Sequence, residues 1–146
     1  MKLAQSFDKL QRFLSRQWTA GGRQGEFSYN EYEYLKTVEA AEQEDPDDHG
    51  NHGEGPHLSD VALEMQVRKA SASVMVKKLE KRGLIERVQC RYDARAQHIL
   101  LTTEGRRLLT KEQAIYERIA ASLESHLNEK ERQMLQQLLG KLCSKL

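Results

Sequence analysis

The stretch from Val61 to Arg87, VALEMQVRKASASVMVKKLEKRGLIER, limits what this chain can fold into more than any other part of it. Residues 58–65 have the spacing of a short helix, and Gln66-Val67 interrupts it. A second helix is predicted from about Lys69 to Arg82, with Ala72, Met75, Val76 and Leu79 as its buried stripe. Gly83 follows where helices commonly end in a left-handed residue. Residues 84–91 then alternate Leu84, Glu86, Val88 and Cys90 against Ile85, Arg87, Gln89 and Arg91; YDARA supplies a turn, and QHILL returns as a second strand. The ordered set predicts a helix-turn-helix with a hairpin wing over residues 57–102, within a mainly α fold carrying one small β-hairpin.

The flanks are helical. Leu3, Phe7, Leu10, Phe13, Leu14 and Trp18 recur at helical spacing over 3–19, and Gly21-Gly22 stops that helix. Ser28 with Glu31 reads as a capping box, with Phe27 and Tyr32 at the staple positions, for a helix reaching about Gln43. Thr102 and Thr103 offer caps for a long helix to about Leu123 that places Leu108, Leu109, Ile115, Ile119 and Leu123 on one face. Asn128 with Glu131 caps a last helix bearing Leu135, Leu138, Leu139, Leu142 and Leu146. The N- and C-terminal apolar stripes are too extensive for one small winged helix to hide, so segments 1–27 and 103–146 are expected to pair two copies of the chain about a two-fold axis. All 146 residues then form a single domain.

Charge becomes informative once it is resolved along the chain. The total is only +1, yet from Arg68 to Arg95 there are nine bases against three acids, a net +6, whereas Glu42 to Asp60 holds seven acids and no Lys or Arg. A basic block coinciding with a helix-turn-helix is the electrostatic footprint of a nucleic-acid binder, although a basic helix face by itself is more often merely solvated. The second helix of such a motif is narrow enough to enter the major groove while the first braces against the backbone.

At this point the chain resembles the MarR family. Val61-Ala62…Met65…Val67 matches the family's Leu-Ala…Leu…Val step; Leu79-Glu80-Lys81-Arg82-Gly83-Leu84-Ile85-Glu86-Arg87 matches the exit of its recognition helix; Asp93-Ala94-Arg95 matches its Asp-x-Arg wing tip; Leu101-Thr102-Thr103-Glu104-Gly105 matches the Leu-Thr-x-x-Gly start of its fifth helix. The resemblance spans nearly the whole chain and implies a sequence-specific transcription regulator, a repressor before an activator, relieved by a small-molecule effector. The implied partners are double-stranded DNA with a pseudo-palindromic operator, a second copy of the chain, and that effector. Three departures stand out. Arg68 occupies the usual Ser cap, at a cost of up to ~1–2 kcal/mol if nothing replaces it. Val74 holds an outward position that is usually polar, and the acidic loop 44–57 is longer than usual.

For the DNA contact, the resemblance implies that Arg95 enters the minor groove with Asp93 fixing the turn and steadying the guanidinium; a structural Asp–Arg turn pair is the plainer alternative. An Arg suits a narrow, negative groove because it is less strongly hydrated than Lys. Lys69, Ser71, Ser73 and Lys77 are expected on the outward face of the recognition helix, lysines for phosphates and short hydroxyls for close approach. Arg68 is assigned to a phosphate, Val74 to a thymine methyl or to neutral packing, and Arg91 to support of the wing. Trp18, Tyr29, Tyr32 and Tyr116 would line the effector pocket that the resemblance implies, and core packing explains them equally well.

His49, His52 and His57, among Asp45, Asp47, Asp48 and Glu54, have the chemistry of a Zn or Ni site, but H-x2-H-x4-H in a loop with both prolines and three glycines lacks a rigid frame. The loop reads as a solvated spacer, and no metal or other cofactor is expected. Cys90 and Cys143 are too few for a disulfide framework and read as structural or incidental thiols. The rivals to a ligand-responsive regulator are a metal-sensing regulator using the His loop and a metal-dependent enzyme or storage module. No Gly-rich phosphate loop, nucleophile elbow or paired carboxylate cleft is apparent, so no enzyme is expected. The polar start MKLAQSFDKL is no signal peptide, and no apolar run approaches the ~20 residues of a membrane helix, so the expected compartment is the cytoplasm, without a membrane partner.

Overall fold

The computed structural model describes residues 1–20, 28–43 and 54–146. In chain order the elements are α1 (Leu3–Ala20), α2 (Tyr29–Glu42), α3 (Leu58–Glu64), α4 (Lys69–Lys81), β1 (Ile85–Gln89), β2 (Gln97–Leu101), α5 (Thr103–Glu124) and α6 (Glu129–Cys143). No helix among the described residues is long and apolar enough to cross a membrane. The Gly21-Gly22 stop, the Phe27 staple and most of the acidic loop, including His49 and His52, lie outside the described residues.

Two compact units can be distinguished, Arg23–Lys111 and a second formed by Met1–Gly22 with Glu112–Leu146. The first is the winged helix. Its core is made by Tyr34, Leu35 and Val38 of α2, Val61 and Ala62 of α3, Ala72, Val76 and Leu79 of α4, and Leu84, Ile85, Ile99 and Leu101 around the hairpin. Leu35, Leu79, Ile85 and Ile99 are fully buried, and side chains of this size contribute roughly 1.5–3 kcal/mol each on burial. Burial also pushes the Tyr34 phenol above its ordinary pKa. Of the expected stripe on α4, Met75 is only half-buried.

The turns follow from local chemistry. The Ser28 hydroxyl accepts from the Glu31 N–H at 3.2 Å, which caps α2. The reciprocal half of the expected capping box is replaced, because the Glu31 carboxylate is taken by Lys78 and Arg82. Gln66 adopts φ 55° in the α3–α4 turn, and the Val67 N–H closes it onto the Ala62 carbonyl at 3.0 Å. Gly83, at φ 71°, takes the left-handed position after α4 at no Cβ cost. The hairpin is antiparallel, with Ile85 opposite Leu101 and Gln89 opposite Gln97. The Thr102 hydroxyl accepts from the Gly105 N–H and donates to the Gly83 carbonyl at 2.6 Å, so one side chain joins the end of α4 to the start of α5. At Gly105 a Cβ would run into the Leu84 carbonyl, which explains the glycine of the Leu-Thr-x-x-Gly segment.

In the second unit, α6 is capped by Asn128 and Glu131 in a reciprocal box, as the sequence predicts. None of its residues is buried; Met134, Leu138 and Leu142 are each more than half exposed. Leu3 and Phe7 of α1 are likewise exposed.

Candidate nucleic-acid interface

The α4 helix begins without the side-chain cap that Ser28 gives α2. Arg68 stands at the N-cap in extended conformation and makes no side-chain cap bond. Burial of Ala72, Val76 and Leu79 on the opposite face holds the helix in place, which outweighs a missing cap worth about 1 kcal/mol. Lys69, Ser71, Val74 and Lys77 are solvent-exposed along α4, with Val74 at 70%. Ser73, expected on the same outward face, is half-buried.

The basic block divides into two classes of cation. Lys78 and Arg82 pair with the buried Glu31 carboxylate, Lys78 at 2.6 Å. Arg87 reaches Glu80 through Nη2 at 2.6 Å and Nε at 3.0 Å, and that hydrogen bonding raises the guanidinium pKa above its ordinary value. Arg91 Nε lies 3.0 Å from Glu54 Oε1, fastening the end of β1 to the segment before α3. Among the described residues, Arg68, Lys69, Lys77, Lys81 and Arg95 have no acidic partner. Two of the neutralising acids, Glu31 and Glu54, lie outside the basic block, so the charge left for a polyanion is smaller than the net +6 of the sequence.

The wing tip is organised by backbone capture. The Gln89 amide donates to the Ala94 carbonyl at 2.5 Å and to the Ala96 carbonyl at 3.1 Å. The Asp93 carboxylate accepts the Arg95 backbone N–H at 2.9 Å, and the Ala96 N–H returns to the Asp93 carbonyl. Asp93 thus holds the turn through the Arg95 backbone N–H, while the Arg95 guanidinium is exposed and without a partner among the described residues. Lysines around an exposed helix, with an arginine at the tip of an adjacent hairpin, can grip phosphates on a duplex and reach into a groove beside them.

The aromatic residues assigned to an effector pocket fall in both units. Tyr29 and Tyr32 of α2 have ring centroids 6.2 Å apart, Tyr29 exposed and Tyr32 buried. Tyr116 is partly exposed on α5 in the other unit, and the Trp18 side chain lies outside the described residues. His57 is the described member of the candidate metal ligands; its ring stacks on His98, centroids 4.3 Å apart. The place of His98, and the pairing of Glu31, Glu54 and Glu80 with their cations, carry no signal in the sequence, because no local spacing relates each of them to its partner.

Comparison with known proteins bears on this region. The family model described as MarR family matches residues 50–96, which contain α3, α4 and the first hairpin strand with its turn. The solved structure of an S. aureus MepR–DNA complex is 23% identical, covers 100% of this chain and 99% of its own, and superposes with a TM-score of 0.69. S. aureus MepR bound to ethidium bromide is 22% identical over 99% of this chain and 96% of its own, TM-score 0.69. A glycine-to-lysine mutant of S. aureus MepR is also 22% identical, over 99% and 98% respectively, with a TM-score of 0.78. The comparison with curated proteins gives no match.

Proposed function

We propose that this chain, whose winged-helix region is that of a MarR-family DNA-binding transcription regulator, works as a homodimeric repressor in the cytoplasm, released from its operator by a small molecule. The observation that carries this reading is a set of cations without an acidic partner among the described residues: Arg68 at the start of α4, Lys69 and Lys77 along it, and Arg95 at the wing tip, exposed on the element that a helix-turn-helix inserts in the major groove and on the hairpin beside it. In this reading α4 reads the major groove, the lysines and Arg68 hold phosphates, Ser71, Ser73 and Val74 approach base edges, and Arg95 lies in the flanking minor groove. Arg91 acts indirectly through Glu54.

Dimerisation is supported by α6, none of whose apolar side chains is buried by the described residues. Two-fold symmetry then calls for a pseudo-palindromic operator with half-sites about one helical turn, ~34–36 Å, apart. The MepR structure with ethidium bromide supports a small-molecule effector. Such a ligand acts by favouring dimers whose recognition helices have the wrong separation for DNA. Selection of genomic fragments by the purified chain, followed by footprinting, tests the reading. The expected result is a protected inverted repeat; equal retention of all fragments at physiological salt overturns it.

A further inference from the structure

We propose that the winged helix contains a site for a divalent transition cation of the zinc class, held by His57, Cys90 and His98 with Glu54 as fourth ligand. The potential ligand atoms of His57, Cys90 and His98 all lie within 4.8 Å of one another, although the residues are far apart in sequence. Cys90 and His98 are buried. A tetrahedral zinc with Zn–S ~2.3 Å and Zn–N ~2.0–2.1 Å places its ligand atoms roughly 3.3–3.7 Å apart. Binding therefore requires the ligand atoms to draw together by up to roughly 1.5 Å, a shift within the reach of side-chain rotation.

The orientation of His98 is the strongest sign. Its Nδ1 lies 2.7 Å from the Gly55 carbonyl. A carbonyl only accepts, so Nδ1 carries the proton in that hydrogen bond and the neutral ring presents a lone pair at Nε2. Nε2 is fully enclosed, has no hydrogen-bond partner among the described residues, and faces Glu54 Oε2 at 3.3 Å. Two lone-pair donors at that separation need a cation between them. A proton would serve the His98–Glu54 pair alone, whereas a metal ion would also engage Cys90 and His57, whose ligand atoms lie within 4.8 Å of a ring nitrogen of His98. Orientation of a ligating imidazole by a backbone carbonyl, and of a ligating carboxylate by an arginine, are the outer-shell contacts expected around such an ion. Arg91 on Glu54 Oε1 supplies the second of these.

The position gives the site a consequence. His57 is the N-cap of α3 and forms an isolated antiparallel bridge with His98 of β2; Cys90 directly follows β1. An ion here ties the brace helix to both strands of the wing. The proposed ligands do not include His49 or His52, and the existence of the site does not depend on the operator reading.

Cobalt(II) titration of the full-length chain, reduced and freed of metal by chelation, is the test. One equivalent is expected to give a thiolate-to-cobalt charge-transfer band and the visible bands of a tetrahedral centre, all displaced by zinc. Cys90→Ser should abolish the charge-transfer band, and His57→Gln should weaken zinc binding beyond the ~10–100-fold typical of an outer-shell change. Circular dichroism checks that both variants fold, and the two substitutions fall on different elements so that one misfolded variant leaves the other decisive. Cys143→Ser and the double variant His49→Ser/His52→Ser should leave the spectrum unchanged. Absence of a thiolate band at saturating cobalt, or a band lost with Cys143 rather than Cys90, overturns the proposal.

Discussion

Lys78 Nζ on α4 lies 2.6 Å from Glu31 Oε1 on α2, the lysine more than half exposed and the carboxylate almost closed off from solvent. Arg82 takes the other oxygen of the same carboxylate. Lys78 in the last turn of α4 and Arg82 at its C-cap thus lock that helix against α2, while Lys69 and Lys77 have no acidic partner among the described residues. Replacing Glu31 by Gln keeps the shape and removes the charge. It should destabilise the fold by about 2 kcal/mol, in the range for hydrogen bonds to charged groups. Both cations reach water, so the larger loss of a fully buried pair is not expected. Chemical denaturation of the two proteins measures this; an unchanged midpoint would mean that the pair is merely a surface contact.

Arg95→Ala should act on the other property. The guanidinium has no hydrogen-bond or acidic partner among the described residues, and the turn is held by Asp93 and Gln89 through backbone groups. Melting should be unaltered, while operator affinity falls by roughly 1–3 kcal/mol. A gel-shift titration giving wild-type affinity would remove the wing from the interface.

Leu139→Glu probes the exposed stripe of α6. Leu139 is 47% exposed in the single chain; at a two-fold interface the new carboxylate would be buried without a partner, at a cost of several kcal/mol. Sedimentation should report a wild-type dimer and a dissociated variant. A wild-type monomer at micromolar concentration would contradict the two-fold assembly.

Gly105→Ala tests the close approach at the start of α5. The added methyl meets the Leu84 carbonyl, and that backbone is held by the Thr102 N–H at 3.1 Å. Relief requires α5 or the β1 start to shift, so the expected loss is about 1–3 kcal/mol, as for overpacking elsewhere. Thermal unfolding that matches wild type would show that the junction yields without strain.

The order of elements in the winged helix was legible in the residues themselves. Helical spacing from Ala72 to Leu79, the stop at Gly83, the alternating run from Leu84 and the reciprocal box of Asn128 with Glu131 are local patterns, and the preferences that produce them act over one or two turns of chain. The Leu-Thr-x-x-Gly segment was legible too, although the reason for its glycine lies in a carbonyl that the sequence does not place. Tertiary structure alone decided the roles of the charges. Glu31 has the spacing of a capping box, yet its carboxylate turns to Lys78 and Arg82, because a charge enclosed by packing is better satisfied by two cations than by one backbone N–H. The meeting of His57, Cys90 and His98 is likewise invisible to spacing: 33 and 41 positions separate His57 from the other two, and only the bridge that brings the α3 start alongside β2 places them together. Local patterns report short-range preferences, whereas the pairing of distant polar groups depends on which segments the hydrophobic core brings into contact.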